Sequence, residues 1–355
     1  MSGTSLDGID VAMLETDGES VVKRGPSATY AYNGSQQHIL RQALTDALAI
    51  KKRGERPGSL ASVEAKLTSW HASAVESFLS QHNLTDSKID LIGFHGQTVL
   101  HRPEERLTVQ LGDGAVLAKV TGINVVYDMR AADVAAGGQG APLVPIYHAA
   151  VGPVKPSAFV NIGGVGNVTF IGSSSELLAF DTGPGNAPIN DWMMKHKGLA
   201  FDEGGKASLS GKVSQQHLQA ALSHPYFQQK PPKSLDRNSF TGLNFNDLSF
   251  ADGAATLAAF TALSIVASAK WASEQPKQWA ICGGGRHNAA IMQGLNAILP
   301  NVISSDAIGL NGDTMEAEAW AYLAVRSFKG LPLSFPSTTG VKTALTGGII
   351  ARPTE

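Results

Sequence analysis

Cysteine occurs once in the 355 residues, at Cys282, which excludes an intrachain disulfide and any CxxC metal or redox motif and fits a reducing compartment. Charge is sparse and balanced: 28 Lys+Arg against 30 Asp+Glu leave a formal -2, so neither a nucleic-acid partner nor electrostatic membrane adhesion is expected. The opening residues, MSGTSLDGID, lack the cationic stretch and apolar core of a signal peptide, so a cytoplasmic location is expected. No long hydrophobic run is present either. The most apolar stretch, Gly253 to Ala269, falls short of the ~20 residues of a spanning helix and reads as a buried core helix. Several nucleotide and hydrolase signatures are missing as well. Gly205-Lys206 is followed by Ala207, with Ala200 where a P-loop needs its first glycine, and there is no GxGxxG, GxSxG or HExxH.

What the chain has is glycine, 38 residues of it, with 43% hydrophobic residues, a balance that suits an α/β enzyme whose site is built from loops at strand ends. Short apolar runs that stop at glycine or a polar turn predict buried strands at 91–94, 123–127, 158–162, 177–180 and 279–282. Helical spacing predicts helices over 61–82, 251–272, 286–299 and 313–328, the last closed by Gly330 and Pro332. No Gly/Ser or charge-rich linker separates independent domains. Two intimately joined lobes are expected, residues 1–127 plus roughly 335–355 and residues 128–334, with Ala135 to Gly140 of hinge-like composition at the first crossover.

Two glycine-rich turns carry the first chemical argument. Ser2, Gly3, Thr4, Ser5, Asp7 and Gly8 precede an alternating strand from Ile9 to Leu14, and Gly163, Gly164, Val165, Gly166 and Asn167 lead into a strand from Val168 to Ile171. Glycine there lets consecutive backbone N–H groups converge on an anion, while Thr4, Ser5 and Asn167 add side-chain donors. Either turn alone is equally an ordinary tight hairpin; together they suit one polyphosphate. A third segment, Gly283, Gly284, Gly285 and the following Arg286, His287 and Asn288, lies where a buried strand meets a helix, a place suited to a nucleotide's sugar or base.

The motifs MSGTSLDGID, HGQT with a following HRP, DMRAADVAAGGQGAPLVP, NIGGVGN, FDTGPGN and CGGGRHN, in this order and spanning nearly the whole chain, resemble those of the anhydro-N-acetylmuramic acid kinases. The resemblance implies a two-lobed actin-like ATPase fold, a duplicated ribonuclease H-like α/β unit with ATP and an amino sugar in the cleft between the lobes. It implies a homodimer and a part in recycling cell-wall sugars. It assigns the three glycine segments to ATP, Asp7 to Mg²⁺, Asp181 to catalysis as the base, and His95, Gln97, Arg130, Asn186 and Glu316, beside Asp181, to the sugar.

These residue types suit those roles. Asp181 follows a buried run and precedes Thr182-Gly-Pro-Gly-Asn186, so it is expected at a strand end, and a carboxylate there can take a proton. A carboxylate near a triphosphate, as Asp7 would be, calls for an intervening cation. Arg130 suits a bidentate pair with the lactyl carboxylate of a muramyl sugar. Two alternatives stand beside this reading: a kinase of the same fold for another small molecule, and an actin-like nucleotide switch without a small-molecule product. One departure from the family pattern is visible. An apolar strand is expected ahead of the first phosphate loop, but Met1 directly abuts Ser2, so the natural chain is expected to begin several residues earlier.

Overall fold

The computed structural model describes every residue except Thr4, Arg237, Asn238, Thr241 and Glu355. It divides into two compact units, Met1–Val151 with Thr314–Glu355, and Gly152–Asp313. The division therefore falls at 151/152 and 313/314, not at 127/128 and near 335. The reason lies in the core. Val126, Met129 and Leu143 pack in one buried cluster with Trp320, Leu323 and Ala324, which keeps the chain beyond Asp128, and the helix at 315–328, in the first unit.

In the first unit β1 (Gly8–Thr16) and β2 (Val22–Ala31) form an antiparallel hairpin. Helix α1 (Gly34–Ala47) starts at a reciprocal capping box, Asn33 taking the N–H of Gln36 and Gln36 taking that of Asn33. It is followed by α2 (Leu60–Gln81). β3 (Leu91–Phe94) is followed by an antiparallel pair, β4 (Gln97–Arg102) and β5 (Leu107–Leu111), and by α3 (Gly114–Thr121), capped by Asp113. β6 (Asn124–Tyr127) runs parallel to β3 and pairs on its other edge with the antiparallel β12 (Ile349–Ala351). The short α4 (Ala131–Ala135) and α5 (Pro145–Val151), and later α11 (Met315–Phe328), complete this unit.

β1 and β3 are not partners. Between them lies a cavity of about 380 Å³ lined by Ile9 to Thr16, by residues 88–94 and by side chains of α2 and α11. His71 faces it with Nε2 unpartnered among the described residues.

The second unit is built on one sheet in the order β11-β10-β7-β8-β9: β7 (Ser157–Ile162), β8 (Val165–Ile171), β9 (Leu177–Pro184), β10 (Trp279–Cys282) and β11 (Val302–Ser304). Counted within the unit this is order 3-2-1-4-5 with only the second strand antiparallel to the rest, the ribonuclease H-like arrangement. Around it stand α6 (Ala187–Lys197), α7 (Lys206–Ser210), α8 (Gln215–Leu222), α9 (Phe250–Ser268) and α10 (Ala289–Asn296). The segment Phe250–Trp271 is long and apolar enough to cross a membrane, yet most of it is buried, with Phe260, Ile265 and Ala258 in the core under the sheet. Its apolar character is thus accounted for by the core.

Candidate active site

In the first unit the loop ahead of β1 is pinned from inside. Ser2 is fully buried; its hydroxyl donates to Gln97 Oε1 at 2.6 Å and lies 3.0 Å from the Tyr32 hydroxyl. Gln97 is buried too, so in this conformation the two side chains hold each other at the base of the loop. Ser5 and Asp7 are exposed, with the Ser5 hydroxyl donating to Asp7 Oδ1 at 2.7 Å, and the Asp7 carbonyl accepts from Tyr32 N at 2.8 Å. The backbone of Asp7 is fixed while its carboxylate faces solvent. Thr4 lies outside the described residues.

Beside the loop stands a second group. His95 follows β3, and its Nδ1 lies 2.8 Å from Gly96 O and 3.2 Å from Ser2 O, which makes Nδ1 the protonated nitrogen. Its Nε2 then accepts from Arg130 Nε and Nη2, both at 3.3 Å. Burial and the Arg130 charge hold His95 well below the ordinary histidine range, so the ring is neutral. Arg130 lies with Cζ 4.8 Å over the Trp320 ring, against whose edge His95 packs at 4.6 Å. Burial lowers the Arg130 guanidinium to about 10, opposed by Glu316 and Asp133. Glu316, in the first turn of α11, is exposed along one side, but crowding by protein pushes its carboxyl up, with Arg130 pulling the other way and Asp10 adding to the rise.

The second unit places its groups in register. Asn161 of β7 pairs with Asn167 of β8, which pairs with Asp181 of β9, and Cys282 of β10 flanks Asn161 on the other side. Asp181 thus sits in the middle of β9 rather than at a strand end, because Thr182 to Pro184 continue the ladder opposite Gly166 and Val165. Its Oδ2 accepts from Leu235 N at 2.7 Å, its amide donates to Lys233 O at 3.0 Å, and its carbonyl takes the Tyr226 hydroxyl. Among the described residues Oδ1 has no such partner. Burial raises the Asp181 carboxyl to about 6, with the Leu235 bond opposing.

The β7–β8 turn, Gly163 and Gly164, is tied to the start of α6. Asn186 N donates to Gly163 O at 2.7 Å, and Gly185 N and Ala187 N reach Gly164 O at 3.0 and 3.2 Å. Asn186 Nδ2 adds a bond to Ile162 O at 3.0 Å, so this side chain braces the glycine hairpin. After β10 comes Gly283, then a 3₁₀ turn over Gly284–His287. Asn288 Oδ1 caps α10 through Ala290 N and Ile291 N at 3.0 and 3.2 Å. Arg286 locks the turn: it donates to Gly283 O and to both Asp306 and Asp313.

Sequence reasoning did not find Trp320, Asp10 or the 233–235 segment. Trp320 stands four residues after Glu316 on α11, a helical spacing that would have put it beside that carboxylate. The Lys233 and Leu235 contacts have no local signal.

A glycine turn between two strands of an α/β sheet, with a desolvated carboxylate in the adjoining strand, is an arrangement that suits a phosphotransferase. A family model described as anhydro-N-acetylmuramic acid kinase matches residues 1–353. The anhydro-N-acetylmuramic acid kinase of Agrobacterium fabrum is 51% identical over 362 residues, covering 99% of this chain and 97% of that protein. The Rhodopseudomonas palustris protein of that name is 51% identical over 359 residues, with 99% and 98% covered. Among solved structures, the activator of the 2-hydroxyisocaproyl-CoA dehydratase from Clostridium difficile with bound ADPNP aligns at a TM-score of 0.43 and 13% identity, covering 92% of this chain and 93% of that one. The chain belongs to the anhydro-N-acetylmuramic acid kinase family.

Proposed function

We propose that this kinase opens the 1,6-anhydro ring of 1,6-anhydro-N-acetylmuramic acid with water and phosphorylates O6 with ATP, giving N-acetylmuramic acid 6-phosphate and ADP in the recycling of cell-wall sugars. The observation that carries the reading is Asp181, a desolvated carboxylate whose Oδ2 is held by Leu235 N and whose neighbour in the ladder, Asn167, belongs to the glycine hairpin.

In a 1,6-anhydro sugar O6 is part of an acetal with C1 and has no hydrogen to lose. Water must therefore attack C1. Asp181 Oδ1 takes one proton of that water, the hydroxyl oxygen bonds to C1, and the C1–O6 bond breaks. The freed O6 attacks the γ-phosphorus of ATP and ADP leaves. Backbone N–H groups of Gly3, Ser5 and Gly8 in the first glycine loop and of Gly163, Gly164 and Val165 in the second would receive phosphate, with the Asn167 side chain as a further donor; Gly283, Gly284, Gly285 and Asn288 would take the adenosine side. Arg130, over the Trp320 ring and backed by neutral His95, receives the lactyl carboxylate. Gln97, Asn186 and Glu316 complete the sugar side, Gln97 and Asn186 by bracing the loops they bond.

Among the described residues no three His, Cys, Asp or Glu side chains cluster for a metal. Exposed Asp7, whose Oδ1 accepts from the Ser5 hydroxyl while the carboxylate faces solvent, suits Mg²⁺, which keeps several waters and needs only one or two protein carboxylates beside the phosphates. When bound, Mg²⁺ neutralises charge on the transferring phosphoryl group. The protein acts as a cytoplasmic homodimer in this reading, and sedimentation at the 37.1 kDa monomer mass would exclude the dimer.

Coupled ADP release tests the function. Turnover with the anhydro sugar, lost with EDTA and restored by Mg²⁺, is expected, with ordinary N-acetylmuramic acid inert. Equal turnover of the ring-open sugar would overturn the ring-opening step.

A further inference from the structure

Asp133 has no place in the chemistry above, yet it is 2% exposed, and each of its carboxylate oxygens is claimed by a different segment. Oδ1 accepts from Gly140 N at 2.6 Å and Oδ2 from Thr339 Oγ1 at 2.6 Å. The same loop is tied again by main-chain bonds, Gly138 N to Asp133 O at 2.9 Å and Gln139 N to Thr339 O at 2.7 Å. Residues 135–140, of hinge-like composition in the sequence, are therefore a pinned loop inside the first unit.

What the pinned loop presents is the Gly140 carbonyl, which accepts from Arg130 Nη1 at 2.8 Å. Gly140 has φ +69, and a Cβ there would lie 2.5 Å from Val134 Cγ2, so the peptide can approach Arg130 only as glycine. Arg130 is thus gripped at Nη1 by Gly140 O, at Nε and Nη2 by His95, and from below by Trp320. Of its polar contacts the Gly140 bond is the shortest, and it is the one whose acceptor is placed by Asp133.

We infer that Asp133, with Thr339, is a positioning residue: it fixes the Gly140 carbonyl and through it aims Arg130 at the carboxylate of the sugar. The inference rests on the reading that Arg130 receives that carboxylate. Small misplacement of a binding group lowers rates steeply, so Asp133→Ala should raise KM for the anhydro sugar ~10-fold and leave KM for ATP unchanged.

A double-mutant cycle gives the test. Arg130→Ala, Asp133→Ala, the pair together, and Thr339→Val are measured for KM of both substrates, with thermal melts alongside. The expected result is that the pair loses no more than Arg130→Ala alone, and that Thr339→Val shows a smaller sugar-specific rise. Thr339→Val keeps the carboxylate and serves if Asp133→Ala does not fold. Additive losses, an equal rise in KM for ATP, or unchanged sugar KM in both Asp133→Ala and Thr339→Val would overturn the positioning role. Arg130→Ala alone reports on the underlying reading: if it leaves the sugar KM unchanged, the assignment of Arg130 fails first.

Discussion

Replacing Asp181 with asparagine should produce a protein that is more stable and nearly inactive. The side chain keeps its shape, and its oxygen can still accept from Leu235 N, so the ladder contacts of β9 survive. What disappears is a carboxylate that folding pushes from 3.8 to about 6 by desolvation. Below 3.8 both folded and unfolded chains hold the proton and the site costs nothing. Between 3.8 and about 6 only the unfolded chain ionises, so stability falls as pH rises; above about 6 the full cost is present. At ~1.4 kcal/mol per pH unit the interval is worth at most ~3 kcal/mol, and ~2–3 kcal/mol after allowing for the partial exposure of the group. Urea unfolding at about pH 8 should therefore favour Asp181→Asn by that amount, the gap shrinking to ~1 kcal/mol near pH 4.5. Turnover should drop ~10²–10⁴-fold, the usual contribution of a general base. In the wild type kcat/KM should fall tenfold per pH unit below about 6 as Asp181 takes up its proton; of its neighbours, Lys233 is lowered by burial and Lys270 only to about 8, and Tyr226 is raised, so neither titrates there. A variant less stable than wild type at about pH 8, or a stability gap independent of pH, would refute the reasoning.

Other perturbations have definite outcomes. A Cβ on Gly185 would lie 2.3 Å from Gly163 O, so Gly185→Ala must push the glycine hairpin away from α6; a rise in KM for ATP and a stability loss of ~1–3 kcal/mol are expected, read by kinetics and urea unfolding. Arg286→Met leaves Asp306 and Asp313 without their shared cation and frees the turn after β10, so nucleotide affinity measured by calorimetry should fall while sugar affinity stays unchanged. Both expectations fail if ATP binding is unaltered.

The strands 91–94 and 279–282 were legible to the residue because short buried strands read as apolar runs cut off by glycine or a polar turn. β2 and the β4–β5 pair were not, since Val22–Ala31 carries Lys, Arg and Gly among exposed positions and the second pair turns through a Pro-Glu-Glu segment. The helix expected from Arg286 starts three residues later because Asn288 caps it and Gly284–His287 form a tighter turn. Asp181 reads as a strand end because Thr-Gly-Pro looks like a turn; only the pairing with β8 shows that the strand continues. Arg130 and His95 were found by motif, but the bond between them, and the tautomer it fixes, belongs to the fold. Asp133 was invisible, since one of its two partners lies 206 positions away.

The ties between the Gly163–Gly164 turn and the start of α6 have a bearing on how firmly that glycine hairpin is held. Four bonds join the two: Asn186 N to Gly163 O, Gly185 N and Ala187 N to Gly164 O, and Asn186 Nδ2 to Ile162 O, so the hairpin opens only if the first turn of α6 opens with it. In the function proposed above, a nucleotide seated on the hairpin binds the closed form and not the open one, and so weights that local equilibrium by its own concentration relative to its Kd. ATP would then be a structural ligand of this turn as well as a phosphoryl donor, and the rigidity of the hairpin would follow the nucleotide supply.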